Sequence, residues 1–379
     1  MRYILHCDGD NFFASCLVAK YPRLRNKPLV VGAERGMATA LSVEAKALGV
    51  TRGMPIFEIK AKYPEVIILS GDYELFSRTS IRMHRLIEAT TTAVEKYSID
   101  ESFADITEAI EKRRSSAEII GIEIKERTWK QLGIPISFGV APTKTLAKLV
   151  STSSKPNGFR VAMTEETLTP ILANIPIEKV WGIGWRTAVK LRARGIQTAL
   201  ELRDIPPNVL STFARPLLDI QKELRGIIVH PINLEHAPLQ SMISSLSFPA
   251  TTDSDFIHRE FIRHIEHLAH RLRKHGLAAR TLTIHTKNSK QEVIDLSCTL
   301  PQHSNTPGIF IDHFEMLFPH ILKLGERIRT TGAAVTDLIP ETAANISLFD
   351  KRDAREEVIF KTVDSLHKRG LSVRSGIGI

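Results

Sequence analysis

Two short apolar runs, far apart in the chain, each end in acidic side chains. Asp8 follows Ile4-Leu5-His6-Cys7, and Asp100 and Glu101 lie at a turn between two apolar stretches. Adjacent carboxylates repel each other, and ionised carboxylates are rarely buried without a partner. Two neighbouring strands that end in acid would place the three carboxylates around a divalent cation, and hard oxygen ligands of this kind favour magnesium. The pattern therefore predicts a metal site suited to phosphoryl transfer, although the Asp-Glu pair alone is equally typical of a surface turn.

The length and composition are those of an ordinary globular protein with more than one domain. The chain has 379 residues, 43% apolar and 25% charged, so we expect two to four domains. The formal charge of +9 is compatible with a polyanionic partner but does not prove one. Three scattered cysteines indicate reduced thiols and a cytoplasmic location. Acids interrupt the first apolar run, and no other run approaches the ~20 residues needed to span a bilayer, so we expect no signal peptide and no membrane contact.

Three motifs resemble, in order, the signatures of the Y-family (translesion) DNA polymerases. They are Asp8-Gly9-Asp10-Asn11-Phe12-Phe13-Ala14-Ser15, Tyr97-Ser98-Ile99-Asp100-Glu101-Ser102-Phe103 and Ser154-Lys155-Pro156-Asn157-Gly158. The resemblance implies two magnesium ions bound by the catalytic residues Asp8, Asp100 and Glu101 and by the backbone carbonyl of Gly9. It further implies a steric gate against the 2′-hydroxyl at Phe13, and binding of the incoming dNTP by Phe12, Phe13, Lys46 and Lys155. Without the resemblance, Phe13 would be read as a core residue and Lys155 as part of an ordinary Pro-Asn-Gly turn.

The segment from Ser42 to Pro55 resembles the fingers of this family but differs at two positions. Many members carry Tyr and Arg that grip the triphosphate where this chain has Val43 and Lys46. Val43 cannot form a hydrogen bond from its side chain, and Lys46 keeps the charge without the bidentate geometry of Arg. The pattern is closer to the catalytic subunit of bacterial polymerase V than to polymerase IV.

The resemblance implies an α+β, multidomain fold shaped like a right hand. We expect a ferredoxin-like palm at 1–22 and 71–163, small fingers at 23–70, a helical thumb with a helix-hairpin-helix at 164–231, a linker at 232–240, a β-α-β-β-α-β little finger at 241–340 and a C-terminal tail at 341–379. Within the palm, the apolar spacing predicts one amphipathic helix over 73–96 with Ile81 and Val94 facing inward.

Two regions are candidates for contact with DNA. In Gly182-Ile183-Gly184 the glycines would let the backbone approach a phosphate, and the amides of the next helix would donate to it, but a tight helical hairpin has the same pattern. Residues 259–290 contain eight Arg and Lys and two Glu, or +6, which fits either a phosphate footprint or a solvated basic face. The predicted DNA contacts are Gly182, Gly184, Arg186, Lys190, Arg273, Lys274, Arg280 and Lys287. We expect His264, His267 and His270 to face solvent rather than to bind zinc.

The tail segment Asn345-Ile346-Ser347-Leu348-Phe349-Asp350 resembles a peptide that binds the bacterial sliding clamp, with Leu348 and Phe349 as anchors. Over residues 1–340 the resemblance implies a monomeric, template-directed DNA polymerase of low fidelity that uses primer–template DNA and dNTP in translesion synthesis. A DNA-binding accessory protein with a decayed palm is one alternative, but this chain keeps all three carboxylates. A nucleotide cyclase with a similar palm is another, but it would not need the hairpin or the basic C-terminal domain.

Overall fold

The chain divides into two units, residues 1–236 and 237–379, in a computed structural model. The structure describes residues 2–210, 215–234, 238–322 and 325–343 and the pairs 359–360, 362–363 and 365–366. The predicted clamp anchors Leu348 and Phe349 lie outside the described residues. Within the described ranges, every helix is too short or too polar to cross a membrane.

Helices and strands alternate irregularly along the first unit. They are β1 (Ile4–Gly9), α1 (Phe12–Lys20), β2 (Leu29–Val31), β3 (Ala40–Leu41), α2 (Val43–Ala47), α3 (Ile56–Lys62), β4 (Ile67–Leu69), α4 (Tyr73–Glu88), β5 (Val94–Lys96), β6 (Glu101–Asp105), α5 (Thr107–Arg113), α6 (Ala117–Leu132), β7 (Ile136–Ala141), α7 (Lys144–Ser153), β8 (Phe159–Val161), α8 (Glu165–Ala173), α9 (Trp185–Arg192), α10 (Ala199–Asp204), α11 (Pro207–Leu210) and α12 (Arg215–Leu224). The second unit contains β9 (Ser241–Thr251), α13 (Ser254–Lys274), β10 (Leu277–Asn288), β11 (Val293–Ser304), α14 (Pro307–Leu322) and β12 (Ile328–Pro340).

The largest sheet of the first unit has the strand order β5-β6-β1-β7-β8. β1 lies at its centre and is antiparallel to both β6 and β7, and nearly all of its residues are buried, which explains its continuous apolar run. The β1–β6 register places Asp8 opposite Glu101. The acidic end of β1 and the acidic start of β6 therefore lie on neighbouring strands, as the sequence predicted.

The helix predicted over 73–96 was wrong at its C-terminal end. α4 ends at Glu88, and Val94 is a buried residue of β5, since the β-branched residues 90–92 favour leaving the helix for an extended strand. Ile81 is 50% exposed rather than inward, because Phe76, Met83 and Ile87 form the buried face of α4.

A smaller sheet with the order β3-β2-β4 forms a separate layer with its own core. β2 is parallel to β4 and antiparallel to β3, and α2 and α3 pack on this sheet through Ala45 and Ile59, which are fully buried. Helices α8 to α12 follow the largest sheet and share a core with α7. They carry the turn Gly182-Ile183-Gly184 between a short 3-10 turn and α9.

The second unit is a four-stranded antiparallel sheet in the order β11-β10-β12-β9. α13 and α14 pack on it through Phe261, Phe310 and Phe314, and the β-α-β-β-α-β order agrees with the sequence prediction. The prediction that His264 faces solvent was wrong. His264 is 5% exposed because it lies on the same face of α13 as Phe261 and Leu268, at helical spacing.

Candidate active site

The three acids predicted as metal ligands line one cavity. Asp8 lies near the end of β1, and Glu101 opens β6 directly opposite. Asp100 precedes β6, and its carbonyl accepts a hydrogen bond of 2.9 Å from the amide of Gly9. The cavity has a volume of about 770 Å³. Its lining consists of Asp8, Gly9, Asn11, Phe12, Phe13, Ala40, Leu41, Lys46, Val50, Thr51, Arg52, Ile99, Asp100, Glu101 and Lys155.

The carboxyl group of Asp8 is partly buried, and its pKa is raised. Burial raises the pKa of Asp8 to about 6, and the nearby charges of Glu101 and Asp100 act in the same direction. Lys155 opposes the shift, since its Nζ lies 2.6 Å from Asp8 Oδ1. Burial and the neighbouring carboxylates thus outweigh the effect of Lys155 on Asp8.

The pKa of Glu101 is shifted in the opposite direction. Burial acts against its ionisation, yet its neighbours lower the pKa of Glu101 to about 2. Lys148 Nζ lies 2.5 Å from Glu101 Oε2, whereas His6 Nε2 lies 3.9 Å away, too far for a hydrogen bond. Burial lowers the pKa of His6 to about 4, so this ring is neutral near pH 7. We therefore assign the low pKa of Glu101 to Lys148.

Asp10 lies beside this charge cluster, with its Oδ1 3.9 Å from Lys155 Nζ, and its other carboxylate oxygen holds a turn. It is 4% exposed and accepts hydrogen bonds of 2.6 Å from Ser137 Oγ and from the amide of Asn157. Asn157 lies two residues after Lys155, so Asp10 fastens the turn that carries Lys155.

Three cations line the same cavity as the acids: Lys46, Arg52 and Lys155. Burial lowers the pKa of Lys46, and the charges of Lys155 and Arg52 lower it further. Lys46 donates to the side chain of Asn11, while Val43 is 53% exposed and does not line the cavity. Cations held close enough to repel one another indicate a site for a polyanion.

The predicted gate, Phe13, lies at the start of α1 and lines the cavity. Its ring is stacked on that of Phe76 with centroids 4.4 Å apart, and Tyr73 contacts it edge-on. Phe12 also borders the cavity but is buried at 3% exposure. A Cβ on Gly9 would lie 2.8 Å from the Phe12 ring, so the close packing of Phe12 on β1 requires glycine at this position.

The oxygen donors at this end of the sheet are not arranged as a preformed metal site. Among the residues that the structure describes, no group of three or more His, Cys, Asp and Glu side chains is arranged around a common ion position. Instead, the ammonium groups of Lys155 and Lys148 contact Asp8 and Glu101. The donors are nevertheless hard oxygens, and three carboxylates lie close together at one partly buried position where a bound cation would stabilise their charged forms. The residues present therefore fit a divalent magnesium-type ion.

Sequence reasoning missed three residues at this site. Lys148 and His6 flank Glu101, and Arg52 joins Lys46 in the cavity wall. A lysine on a helix and a histidine in a strand carry no special signal by themselves. Only the position of Arg52, in a turn next to a predicted dNTP contact, could have indicated its role.

The two glycines of the hairpin differ in what they do. Gly182 has φ +85°, and a Cβ there would lie 2.9 Å from Ile220 Cδ1, so the fold itself requires glycine. Gly184 has an ordinary φ of −79°, and an added Cβ would meet no atom within 4 Å among the described residues, so these residues do not require glycine there. Arg186 and Lys190 are exposed on α9, which has no acidic residue. This surface is open to an anionic ligand.

The predicted DNA contacts of the second unit are only partly free. Arg273 Nη1 donates to the carbonyl of Asn305 at 3.1 Å, and Arg280 Nε donates to that of Leu300 at 3.1 Å. Lys274 is exposed, whereas Lys287 is half-buried on β10. The basic character of this unit is therefore divided between structural and solvent-facing side chains.

Comparison with known proteins gives consistent matches along the chain. Residues 7–152 match the impB/mucB/samB family, residues 239–348 match the C-terminal domain of that family, and residues 165–196 match the IMS family HHH motif. Protein ImpB of Salmonella typhimurium is 32% identical over 385 residues, covering 96% of this chain and 90% of that protein. DNA polymerase IV of Streptococcus suis (strain 98HAH33) is 29% identical over 343 residues, covering 89% and 96% respectively. A solved structure, the Y-family DNA polymerase chimera of Dbh and Dpo4, has a similar fold, with a TM-score of 0.74. The match covers 89% of this chain and 99% of that chain, at 24% sequence identity.

Proposed function

Since the chain belongs to the impB/mucB/samB family and is a Y-family DNA polymerase with the predicted α+β architecture, we propose that Asp8, Asp100 and Glu101 are its catalytic metal ligands. Members of this family are nucleotidyltransferases that need a divalent metal. The observation that carries the proposal is the β1–β6 register, which pairs Asp8 with Glu101 at a cavity that also contains three cations. The reaction is template-directed addition of a dNTP to a primer, with low fidelity, opposite damaged bases.

The ligands of the two proposed magnesium ions are the three carboxylates and the carbonyl of Gly9. When bound, the ions would lower the pKa of the primer 3′-hydroxyl and neutralise charge on the triphosphate. Lys46, Arg52 and Lys155, the cations that line the same cavity, would bind the triphosphate. Because Val43 offers no hydrogen bond, Arg52 would supply the guanidinium fork at this wall.

Phe13 is proposed as the steric gate. Its stacking on Phe76 holds the ring in one orientation, so the ring cannot move aside for an added hydroxyl on the sugar. Phe12 would act beneath it by fixing the start of α1 on Gly9 rather than by direct contact with the base.

Contact with primer–template DNA is proposed at the hairpin and at the basic face of the second unit. The open surface at Gly184, Arg186 and Lys190 would hold a phosphate without reading sequence. Lys274 and Lys287 would add to this binding, and Leu348 and Phe349 would anchor a sliding clamp. The polymerase would act on DNA as a monomer.

The test is primer extension with magnesium on intact and lesion-containing templates. Asp100→Asn and Glu101→Gln should abolish extension while DNA affinity stays within about twofold of wild type, because both carboxylates lie in the cavity and not on the DNA-binding surfaces. Asp295→Asn, on the exposed face of β11, is the matched control and should extend normally. Normal extension by Asp100→Asn would remove the proposed site, and DNA binding without any extension by the wild type would favour the accessory-protein alternative.

A further inference from the structure

Tyr97 lies between the lysine that contacts Glu101 and the hairpin that carries Gly182. Its hydroxyl accepts a hydrogen bond of 2.9 Å from Trp181 Nε1, and the two ring centroids are 5.4 Å apart at 88°. On the other side, Lys148 Nζ lies 5.5 Å from the centroid of the Tyr97 ring. Lys148 is the residue whose ammonium contacts Glu101 at 2.5 Å. A continuous set of contacts therefore runs from Trp181 to Glu101.

The backbone reinforces this connection. The amides of Tyr97 and Ser98 both donate to the carbonyl of Glu101 at 3.1 Å. Tyr97 and Glu101 thus close the same turn, and Asp100 is held inside that turn by the hydroxyl of Ser98 at 2.7 Å. A displacement of the Tyr97 side chain would act on Glu101 through Lys148 and through this turn.

Trp181 is fixed by its surroundings rather than free to follow Tyr97. Its ring centroid lies 5.7 Å from that of Phe103 and 5.8 Å from that of His230. The ammonium of Lys144 lies 5.5 Å from the Trp181 ring and forms an ion pair with both carboxylate oxygens of Glu95 at 2.7 Å. Lys144 is 5% exposed, so this ion pair is shielded from solvent. Trp181 is therefore a firm support for the Tyr97 side chain, which is 44% exposed.

We propose that Trp181 and Tyr97 are positioning residues that hold Lys148 against Glu101. The Trp181–Tyr97 hydrogen bond keeps the phenol ring beneath the Lys148 ammonium, whose attraction to the ring face orients it toward Glu101. Because Trp181 directly precedes Gly182, the same support joins the proposed DNA-binding hairpin to the proposed metal ligand. The inference rests on the proposed function of Glu101 and assigns a role to Tyr97, whose motif gave it none, and to Trp181, which lies outside the three motifs.

Two conservative substitutions isolate the hydrogen bond. Tyr97→Phe removes the hydroxyl and Trp181→Phe removes the N–H, and both keep an aromatic ring in place. Trp129→Phe and Tyr63→Phe, at sites outside this set of contacts, are matched controls. The measurements are kcat and the KM for dNTP in primer extension, the affinity for primer–template DNA, and the affinity of the full chain for Mn²⁺ by electron paramagnetic resonance without nucleotide.

We expect Tyr97→Phe and Trp181→Phe each to weaken Mn²⁺ binding and lower kcat by about tenfold, as loss of a ligand-supporting group does. DNA affinity and the KM for dNTP should stay within about twofold of wild type, since neither residue lies in the cation group. The double variant should be no worse than either single variant, because all three lose the same hydrogen bond.

Wild-type Mn²⁺ affinity in both single variants would overturn the inference. So would a double variant whose loss of Mn²⁺ binding free energy equals the sum of the losses in the two single variants. The inference would also be overturned, in favour of a purely structural role, if DNA affinity and kcat fell and the KM for dNTP rose by similar factors while the melting temperature fell. Failure of the proposed function is separate, because it would show as absent extension by the wild type, and the Mn²⁺ measurement still decides the positioning role in that case.

Discussion

Lys155 Nζ lies 2.6 Å from Asp8 Oδ1 and 3.9 Å from Asp10 Oδ1, although lysine and Asp8 are 147 positions apart in the chain. The two acids interact with this lysine in different ways. Asp8 contacts its ammonium directly, while Asp10 fastens the turn behind it through Asn157. Charge and placement of Lys155 can therefore be tested separately.

Lys155→Ala should raise the KM for dNTP by about 10- to 100-fold, because one charge-assisted hydrogen bond to phosphate contributes about 1.5–3 kcal/mol. DNA affinity should not change. Single-nucleotide incorporation kinetics measure the effect, and Lys130→Ala on the exposed end of α6 is the control. An unchanged KM would mean that Lys155 neutralises Asp8 but does not bind the triphosphate.

Asp10→Ala should lower the free energy of unfolding of the first unit by about 1–3 kcal/mol, because it leaves the buried Ser137 hydroxyl and the Asn157 amide without their acceptor. Asp10→Asn should lower the free energy of unfolding by less, since an amide oxygen still accepts a hydrogen bond. Amide hydrogen exchange along β7 measures the difference between the variants. Wild-type protection in Asp10→Ala would show that the turn is held by other contacts.

Phe13→Ala should admit ribonucleotides, because it removes the ring stacked on Phe76 beside the cavity. We expect discrimination against rNTP, the ratio of kcat/KM for dNTP and rNTP, to fall by at least about tenfold. Phe57→Ala is a suitable control because Phe57 is 77% exposed and does not line the cavity. Retained discrimination in Phe13→Ala would place the gate elsewhere.

Gly184→Ala should weaken DNA binding while leaving the melting temperature unchanged, since Gly184 has an ordinary φ and its added Cβ would meet no atom within 4 Å in the part of the chain that the structure describes. Only an external phosphate would meet the added Cβ. Lys190→Ala should instead lower the slope of log Kd against log salt by about 0.9, the effect of one lost phosphate contact. Gly182→Ala is unsuitable because the fold itself needs that glycine. If Gly184→Ala bound DNA like the wild type, the hairpin would be a structural turn only.

The proximity of Asp8 and Glu101 could be predicted because the apolar residues before Asp8 and after Glu101 dictate buried strands, and the motif resemblance supplied the proposed role of Gly9. Lys148 could not, since its contact with Glu101 depends on how α7 crosses the sheet, and a helical lysine alone indicates a surface. Arg52 was missed for a related reason, because the cavity wall is assembled from a turn whose direction the sequence does not specify. The error at Val94 came from extending an amphipathic period through three β-branched threonines into a strand.

His264 was predicted to face solvent, and its burial gives the second unit a pH dependence. Its Nδ1 lies 3.0 Å from Ser244 Oγ, and its Nε2 lies 3.2 Å from Thr331 Oγ1. Burial lowers the pKa of His264 from 6.5 to about 4, and the charges of Arg263, His285 and His267 act in the same direction. The folded unit therefore holds this ring neutral.

Between pH 6.5 and about 4 the unfolded chain binds a proton at His264 that the folded chain does not, so stability rises with pH across this window. The contribution is complete above pH 6.5 and is lost as the pH falls toward 4, amounting to about 3 kcal/mol at about 1.4 kcal/mol per pKa unit. Amide hydrogen exchange of α13 at pH 7 and pH 4.5 measures this loss of stability. His264→Gln should reduce the difference between the two pH values, whereas His275→Gln, at an exposed position, should retain it. An unchanged pH dependence in His264→Gln would mean that other groups of the second unit cause its acid sensitivity.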